Sequence, residues 1–206
     1  TRLPPARCVR FRFAKRGDLR WIGHRDLARL LERLFRRAGL RLGMSEGFHP
    51  KPRISFPSAL ALGVEGLDEI VEVELAEPCA AEALRERLQP FAVRGLSFTS
   101  VAVLPEGAKK AQIQSVQYRL CVPEDRRGPT AERIARLLAE PPETEPHDDA
   151  PRPGDALESL AVVDGAVCME LRVCRQRSAG PRDVLAALGL GDLERQGEVL
   201  TRTRVI

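Results

Sequence analysis

His24 and His49 are the side chains best suited to moving protons near neutrality, because an unperturbed imidazole titrates at about 6.5. They are two of only 3 histidines in the chain. Brought together by the fold, they could act as general acid and base on an RNA 2′-hydroxyl and its leaving oxygen, as in a metal-independent endoribonuclease. A histidine at a helix start is more often a cap or a packing residue, and both readings stay open. Gly23-His24-Arg25-Asp26 has the composition of such a start, with Asp26 suited to the positive end of the helix dipole and free amides able to hold an anion. His49 sits in Ser45-Glu46-Gly47-Phe48-His49-Pro50-Lys51-Pro52-Arg53, where Gly47 permits unusual backbone angles and two prolines stiffen the exit. That loop can present His49, Lys51 and Arg53 together. Its structural alternative is a connector with Phe48 plugged into the core.

Arg25, Arg29, Arg33, Arg36 and Arg37 fall within about 120° on a helical wheel, opposite Leu27, Leu30, Leu31, Leu34 and Phe35. This is either a ridge that tracks phosphates or an ordinary solvated face. Charge segregation supports the first. Residues 1–54 carry 15 Lys or Arg against 4 Asp or Glu, leaving 18 against 25 beyond, so a +11 segment precedes a −7 remainder. A segregated basic region fits a polyanion, nucleic acid first, although an acidic protein surface would also satisfy it.

Other chemistries find little. The 5 cysteines, Cys8, Cys79, Cys121, Cys168 and Cys174, include no Cys-x-x-Cys pair, which argues against a disulfide framework, zinc or an iron–sulfur cluster; they read as small buried hydrophobes. A metal at the histidines would need a third ligand, for which Glu46 is the only nearby candidate, so no metal and no cofactor are expected. No nucleotide-binding Gly loop or Ser nucleophile elbow occurs. No apolar run approaches the roughly 20 residues of a membrane span and no secretory signal opens the chain, so a cytoplasmic protein without membrane contact is expected. The chain starts without Met, which leaves room for a preceding neighbour.

The elements that must carry these residues follow from periodicity. Alternation predicts a strand over 7–14, helical spacing a helix over 22–38 closed by Gly39, and further strands at 54–56 and 69–75. A helix over 80–89 and a strand over 96–104 complete a β-α-β-β-α-β order. After a linker at 105–110 the order recurs: strand 116–122, helix 130–139, a hairpin over 160–173 turning at Asp164-Gly165, helix 181–188 and strand 199–206. The expected class is α+β, with two ferredoxin-like lobes in tandem, 1–107 and 108–206. An acidic, Pro-rich insertion at 140–155 cannot bury apolar surface and should be mobile. In this arrangement Arg10 and Arg12 should lie near Glu72 and Glu74 on the sheet face away from the helices. That face lacks the aromatics with which RNA readers of similar topology stack bases.

Phe13-Ala14-Lys15-Arg16-Gly17-Asp18-Leu19-Arg20-Trp21-Ile22-Gly23-His24-Arg25-Asp26-Leu27, Arg36-Arg37-Ala38-Gly39-Leu40 and Ser45 to Phe56 together resemble the radical-SAM-linked protein family, a domain of unknown function. The resemblance covers 7–75 closely and thins afterwards, with Gly180-Pro181-Arg182-Asp183-Val184-Leu185 a second echo. It implies a domain encoded beside, or fused behind, a radical S-adenosylmethionine enzyme. The three-cysteine cluster motif of such enzymes is missing here, so the chain would be the accessory part. Many of those enzymes modify RNA, which agrees with the basic ridge. The doubled ferredoxin-like order is also similar to the CRISPR-repeat endoribonucleases, a likeness of fold that transfers no residues. The reading that follows is a non-catalytic module presenting structured RNA, such as transfer or ribosomal RNA, to a radical SAM partner. The endoribonuclease and a protein-interaction domain docking onto that partner are the alternatives.

Overall fold

The computed structural model describes residues 7–78, 80–139, 154–173 and 179–206. The chain is α+β and divides into two compact units, Thr1–Gln112 and Ile113–Ile206.

In the first unit, β1 (Arg7–Lys15) leads through a 3-10 helix (Gly17–Trp21) into α1 (His24–Arg37). The chain then forms β2 (Ile54–Ser55), β3 (Glu65–Leu75), α2 (Ala81–Leu88) and β4 (Leu96–Val103). The strand order is β4-β1-β3, with β2 beside β3, and every pairing is antiparallel. This order is compatible with the ferredoxin-like reading. The register sets Val9 opposite Val73 and Phe11 opposite Val71 on one face, where they pack with Leu27, Leu31, Leu34 and Phe35 of α1 and Leu84 and Leu88 of α2. Phe11 meets Phe35 at 5.3 Å and Phe98 at 5.7 Å between ring centroids. The alternation of β1 is therefore the cause of the core, since period 2 sends every second residue to the helices.

The opposite face holds the ion pairs. Arg10 lies across from Glu72, and its Nε and Nη2 donate to Glu72 Oε1 at 3.0 and 2.7 Å. Arg12 differs from the expectation, bonding Asp68 and not Glu74. The antiparallel register is the reason: it sets Arg12 against Ile70 and leaves Glu74 opposite Cys8. The buried Glu72 carboxylate also accepts the Ala111 amide at 3.0 Å, so the connecting segment is tied down next to β3.

The 3-10 helix between β1 and α1 interrupts the stretch before the helix, and its anchor is an unexpected one. Lys15 is buried, and its ammonium donates to Ile22 O at 2.9 Å and Arg20 O at 3.4 Å. At the far end of α1 the Arg87 guanidinium donates to Gly39 O at 2.7 Å and Ala38 O at 3.2 Å, capping carbonyls that a helix end leaves open. The turn that leads into α1 and the end of α1 are thus each held by a cation from a neighbouring element.

The second unit runs β5 (Ser115–Cys121), α3 (Glu124–Ala139), β6 (Leu157–Val163), β7 (Ala166–Arg172), α4 (Pro181–Ala187) and β8 (Thr201–Val205), in strand order β8-β5-β7-β6. The hairpin turns where the sequence places it: Asp164 and Gly165 take φ of 48° and 71°, as a two-residue turn with both central residues left-handed requires. α3 begins earlier than expected. Gly128-Pro129 reads as a break, yet the helix passes through Pro129, and the Thr130 hydroxyl donates to Arg126 O at 2.7 Å. Of the insertion expected at 140–155, residues 140–153 lie outside the described residues.

Gly95 closes the turn before β4 with φ of 87°, and a Cβ there would stand 2.3 Å from Arg16 O and 3.1 Å from Leu19 Cβ. Gly95→Ala should therefore destabilise the first unit by on the order of 2–4 kcal/mol, combining left-handed strain with overpacking. Trp21 is the only tryptophan in the chain and lies in the adjoining turn, so a urea melt followed by its fluorescence checks this; an unchanged midpoint would show the turn to be pliable.

Candidate nucleic-acid interface

The amphipathic pattern of α1 dictates its orientation. With Leu27, Leu31, Leu34 and Phe35 buried, Arg25, Arg29, Arg33, Arg36 and Arg37 are all exposed. Their states differ. Arg36 Nε donates to Glu32 at 3.0 Å, Arg29 reaches Asp26 at 3.4 Å, and Arg37 lies over the Phe91 ring at 5.5 Å. Arg25 and Arg33 have no side-chain partner among the described residues. Exposed i,i+3 and i,i+4 pairs of this kind hold their cations by only about 0.3–0.5 kcal/mol, so Arg29 and Arg36 remain available to a stronger anion. Gly23 caps α1 without a side chain, leaving the first-turn amides to solvent.

His24, the first residue of α1, is exposed, with its ring edge-on to Phe56 at 5.0 Å. The helix start therefore meets the 45–56 segment through Phe56, at the segment's exit. It is a packing contact, the kind of role that a histidine at a helix start commonly has.

The loop itself is a small clamped hairpin. Met44 bridges Pro52, Ser45 N donates to Lys51 O at 2.8 Å, and Lys51 N donates to Ser45 Oγ at 3.0 Å. Both feet then attach to one residue of β3. Gly43 N donates to Glu74 O at 2.6 Å, Glu74 N donates to Arg53 O at 3.0 Å, and Arg53 N donates to Gly43 O at 2.8 Å. The Arg53 guanidinium adds a bond to Glu74 Oε2 at 3.2 Å. Arg53 is exposed but is part of the mount, whereas His49 and Lys51 are exposed with no side-chain partner among the described residues. Gly47 takes φ of 116° at the tip, the conformational freedom expected of it.

Phe48 rules out the alternative in which it plugs the core, for its side chain is fully exposed at 101%. The core beneath α1 is already filled by Phe11, Phe35 and Phe98, and the clamp at Glu74 directs the tip away from it. A second exposed aromatic, Trp21, stands at 60% with the Arg20 guanidinium 4.9 Å over its ring. Sequence reasoning gave Trp21 no role, and nothing in its spacing marks it as outward. Arg16 and Arg94, both exposed, line a cleft of about 600 Å³ floored by Leu19, Ile22 and Val93, which extends the basic surface beyond the two elements foreseen.

Cys8 is half-buried, Cys168 likewise, and Cys121 is exposed, so the described cysteines are less buried than expected; Cys79 and Cys174 lie outside the described residues. Burial, then the carboxylates of Glu72 and Glu74, push the Cys8 thiol above its ordinary value, the opposite of an activated nucleophile. Among the described residues no group of three or more His, Cys, Asp or Glu could hold a metal ion, and no helix is long and apolar enough to cross a membrane.

The clamp and the tip should respond differently to substitution. A Cβ at buried Gly43 would lie 3.0 Å from Glu74 Cβ and 3.2 Å from Glu74 O, so Gly43→Ala should cost about 1–3 kcal/mol. The pair His49→Ala with Lys51→Ala should change stability by less than about 0.5 kcal/mol. Urea melts of both variants check this; equal losses would mean that the tip is a structural part of the fold.

No curated protein matches the chain. A family model does, over residues 8–149, a stretch that includes β1, α1, the clamped loop and β3. The chain therefore belongs to the family described as uncharacterized proteins conserved in bacteria, DUF2344.

Proposed function

We propose that this protein is a non-catalytic RNA-binding module that holds structured RNA, such as transfer or ribosomal RNA, for a radical SAM partner enzyme. The observation that carries the RNA part is the set of exposed basic side chains with no partner among the described residues: Arg25 and Arg33 on α1, and His49 and Lys51 on the clamped loop. A cation already spent on a carboxylate contributes to the fold. One left in solvent on a rigid mount contributes nothing there and is free to neutralise a phosphate, releasing the counterions that phosphate had condensed. The partner enzyme enters through the resemblance of 7–75 to the radical-SAM-linked family. An enzyme that modifies RNA needs its substrate positioned, and a basic accessory domain supplies that without chemistry of its own.

A second reading, docking onto an acidic face of the radical SAM enzyme, draws on the exposed apolar side chains Trp21, Met44 and Phe48. Interfaces between proteins favour aromatic and Met anchors ringed by Arg. Co-purification that survives nuclease treatment would favour docking over RNA.

The RNA reading makes a graded expectation. In filter binding of total cellular RNA, retention should fall steeply with salt, and His49→Ala with Lys51→Ala should flatten the salt slope by roughly one unit for each phosphate that the variant no longer neutralises. Arg25→Ala with Arg33→Ala should weaken binding more than Arg36→Ala with Arg37→Ala, since the latter pair is partly engaged with Glu32 and Phe91. No retention at low salt, or retention indifferent to salt, would remove the reading.

A further inference from the structure

Cations explain how the surface could hold phosphates, but Phe48 has no place in that account. A fully exposed aromatic ring gains nothing for the fold, and this one is not on a slack loop. The base of the tip, Met44 and Ser45 on one side and Lys51 and Pro52 on the other, is fixed by the Met44–Pro52 bridge and by the two Ser45–Lys51 bonds, which join it to the feet clamped at Glu74. Gly47 sets the backbone angle immediately before the ring, and Pro50 limits it shortly after. The ring is therefore carried outward by a mount that loses little entropy when something binds it. His49 follows it directly, and Lys51 stands two residues further on.

We propose that Phe48 is a base-stacking residue, which receives an unpaired RNA base on its ring while Lys51 and His49 contact the flanking phosphates. This rests on the RNA reading above and narrows it to RNA with unpaired nucleotides, in loops, bulges or ends. In an A-form duplex the bases are stacked on one another and offer no face to a ring, whereas unpaired bases can splay onto an aromatic side chain. The sheet cannot do this work in the first unit. Its outer face presents Arg10 and Arg12 in ion pairs, with Ser100 and Ala102 opposite them on β4 and no aromatic among them. A stacking platform therefore has to be supplied by a loop. The clamped tip offers a rigid, solvent-facing ring beside two cationic side chains.

The test is fluorescence anisotropy of the full chain with two labelled RNAs matched in phosphate number, a perfectly paired duplex and a stem bearing a single-stranded loop. The looped RNA should bind roughly 5- to 100-fold tighter, the range expected for one stacked base. Phe48→Ala and Phe48→Leu should both reduce that preference to the duplex level, while Phe48→Trp should keep it; the salt slope should be the same in all. Leu separates stacking from simple apolar burial, and a residue this exposed can be changed without unfolding the chain. Equal binding of the two RNAs by the wild type, or a preference that survives Phe48→Leu, overturns the stacking role and leaves the RNA reading standing. Absence of binding to either RNA at low salt removes both.

Discussion

The antiparallel register between β1 and β3 is the constraint on which the rest of the first unit depends. Setting Arg10 against Glu72 puts Phe11 against Val71 on the other face, because side chains alternate strictly along each strand. A slip by one residue would send the arginines toward the helices and the phenylalanines into solvent. The same register leaves Glu74 near the end of the ladder, opposite Cys8, where Arg12 cannot reach it. Its carboxylate and both backbone groups are then free to receive the feet of the 45–53 loop. The position of the loop is thus a consequence of pairing in the core strands, although the loop is distant from them in sequence.

That arrangement sorts the basic residues of the first unit. Arg10 and Arg12 neutralise carboxylates across the sheet, buried Lys15 holds carbonyls of the turn before α1, half-buried Arg87 holds those at its end, and Arg53 fastens the loop. A buried ammonium without such acceptors would be costly to desolvate, so Lys15 is fixed in place by its own charge. Among the described residues, Arg25, Arg33, His49 and Lys51, with Arg16 and Arg94 at the cleft, stand outside these structural tasks, and Arg29 and Arg36 are held only by weak exposed pairs. Formal charge alone overstates the surface available to a polyanion. The electrostatic footprint is the part of that charge which the fold does not consume.

The elements with strong periodicity were legible in the sequence. Val9, Phe11 and Phe13 announce β1 and its buried face, the leucines of α1 announce both its core face and its arginine ridge, and Asp164-Gly165 announces its turn. Positions set by long-range pairing were not. Nothing local shows that Gly43 must approach Glu74, that Lys15 turns inward to Ile22, or that Arg12 chooses Asp68, because each depends on a partner that short-range patterning does not single out. A plugged Phe48 stood as the structural alternative for the loop because an aromatic residue is usually worth burying. Its exposure follows from the clamp, which no short-range signal reveals. The start of α3, Glu124 to Pro129, escaped for the opposite reason: Gly128-Pro129 is a strong local break signal that the helix nevertheless accommodates.

Comparison of the two units shows where the first one departs from a purely structural solution. In the second, β6 spans Leu157–Val163 and pairs with β7 along most of that length, so the strand beside β7 serves the sheet. The corresponding strand in the first unit, β2, is only Ile54–Ser55. Most of the chain that might have extended it forms the hairpin hung from Glu74 instead. Ladder hydrogen bonds have been exchanged for a projecting tip that buries no side chain of Phe48, His49 or Lys51. Stability alone favours the longer strand, since each residue added to the ladder satisfies backbone groups at little further entropic cost. The exposed tip adds nothing to the packing of the chain, and its ring with two basic neighbours is the feature on which the proposed contact with an unpaired base rests.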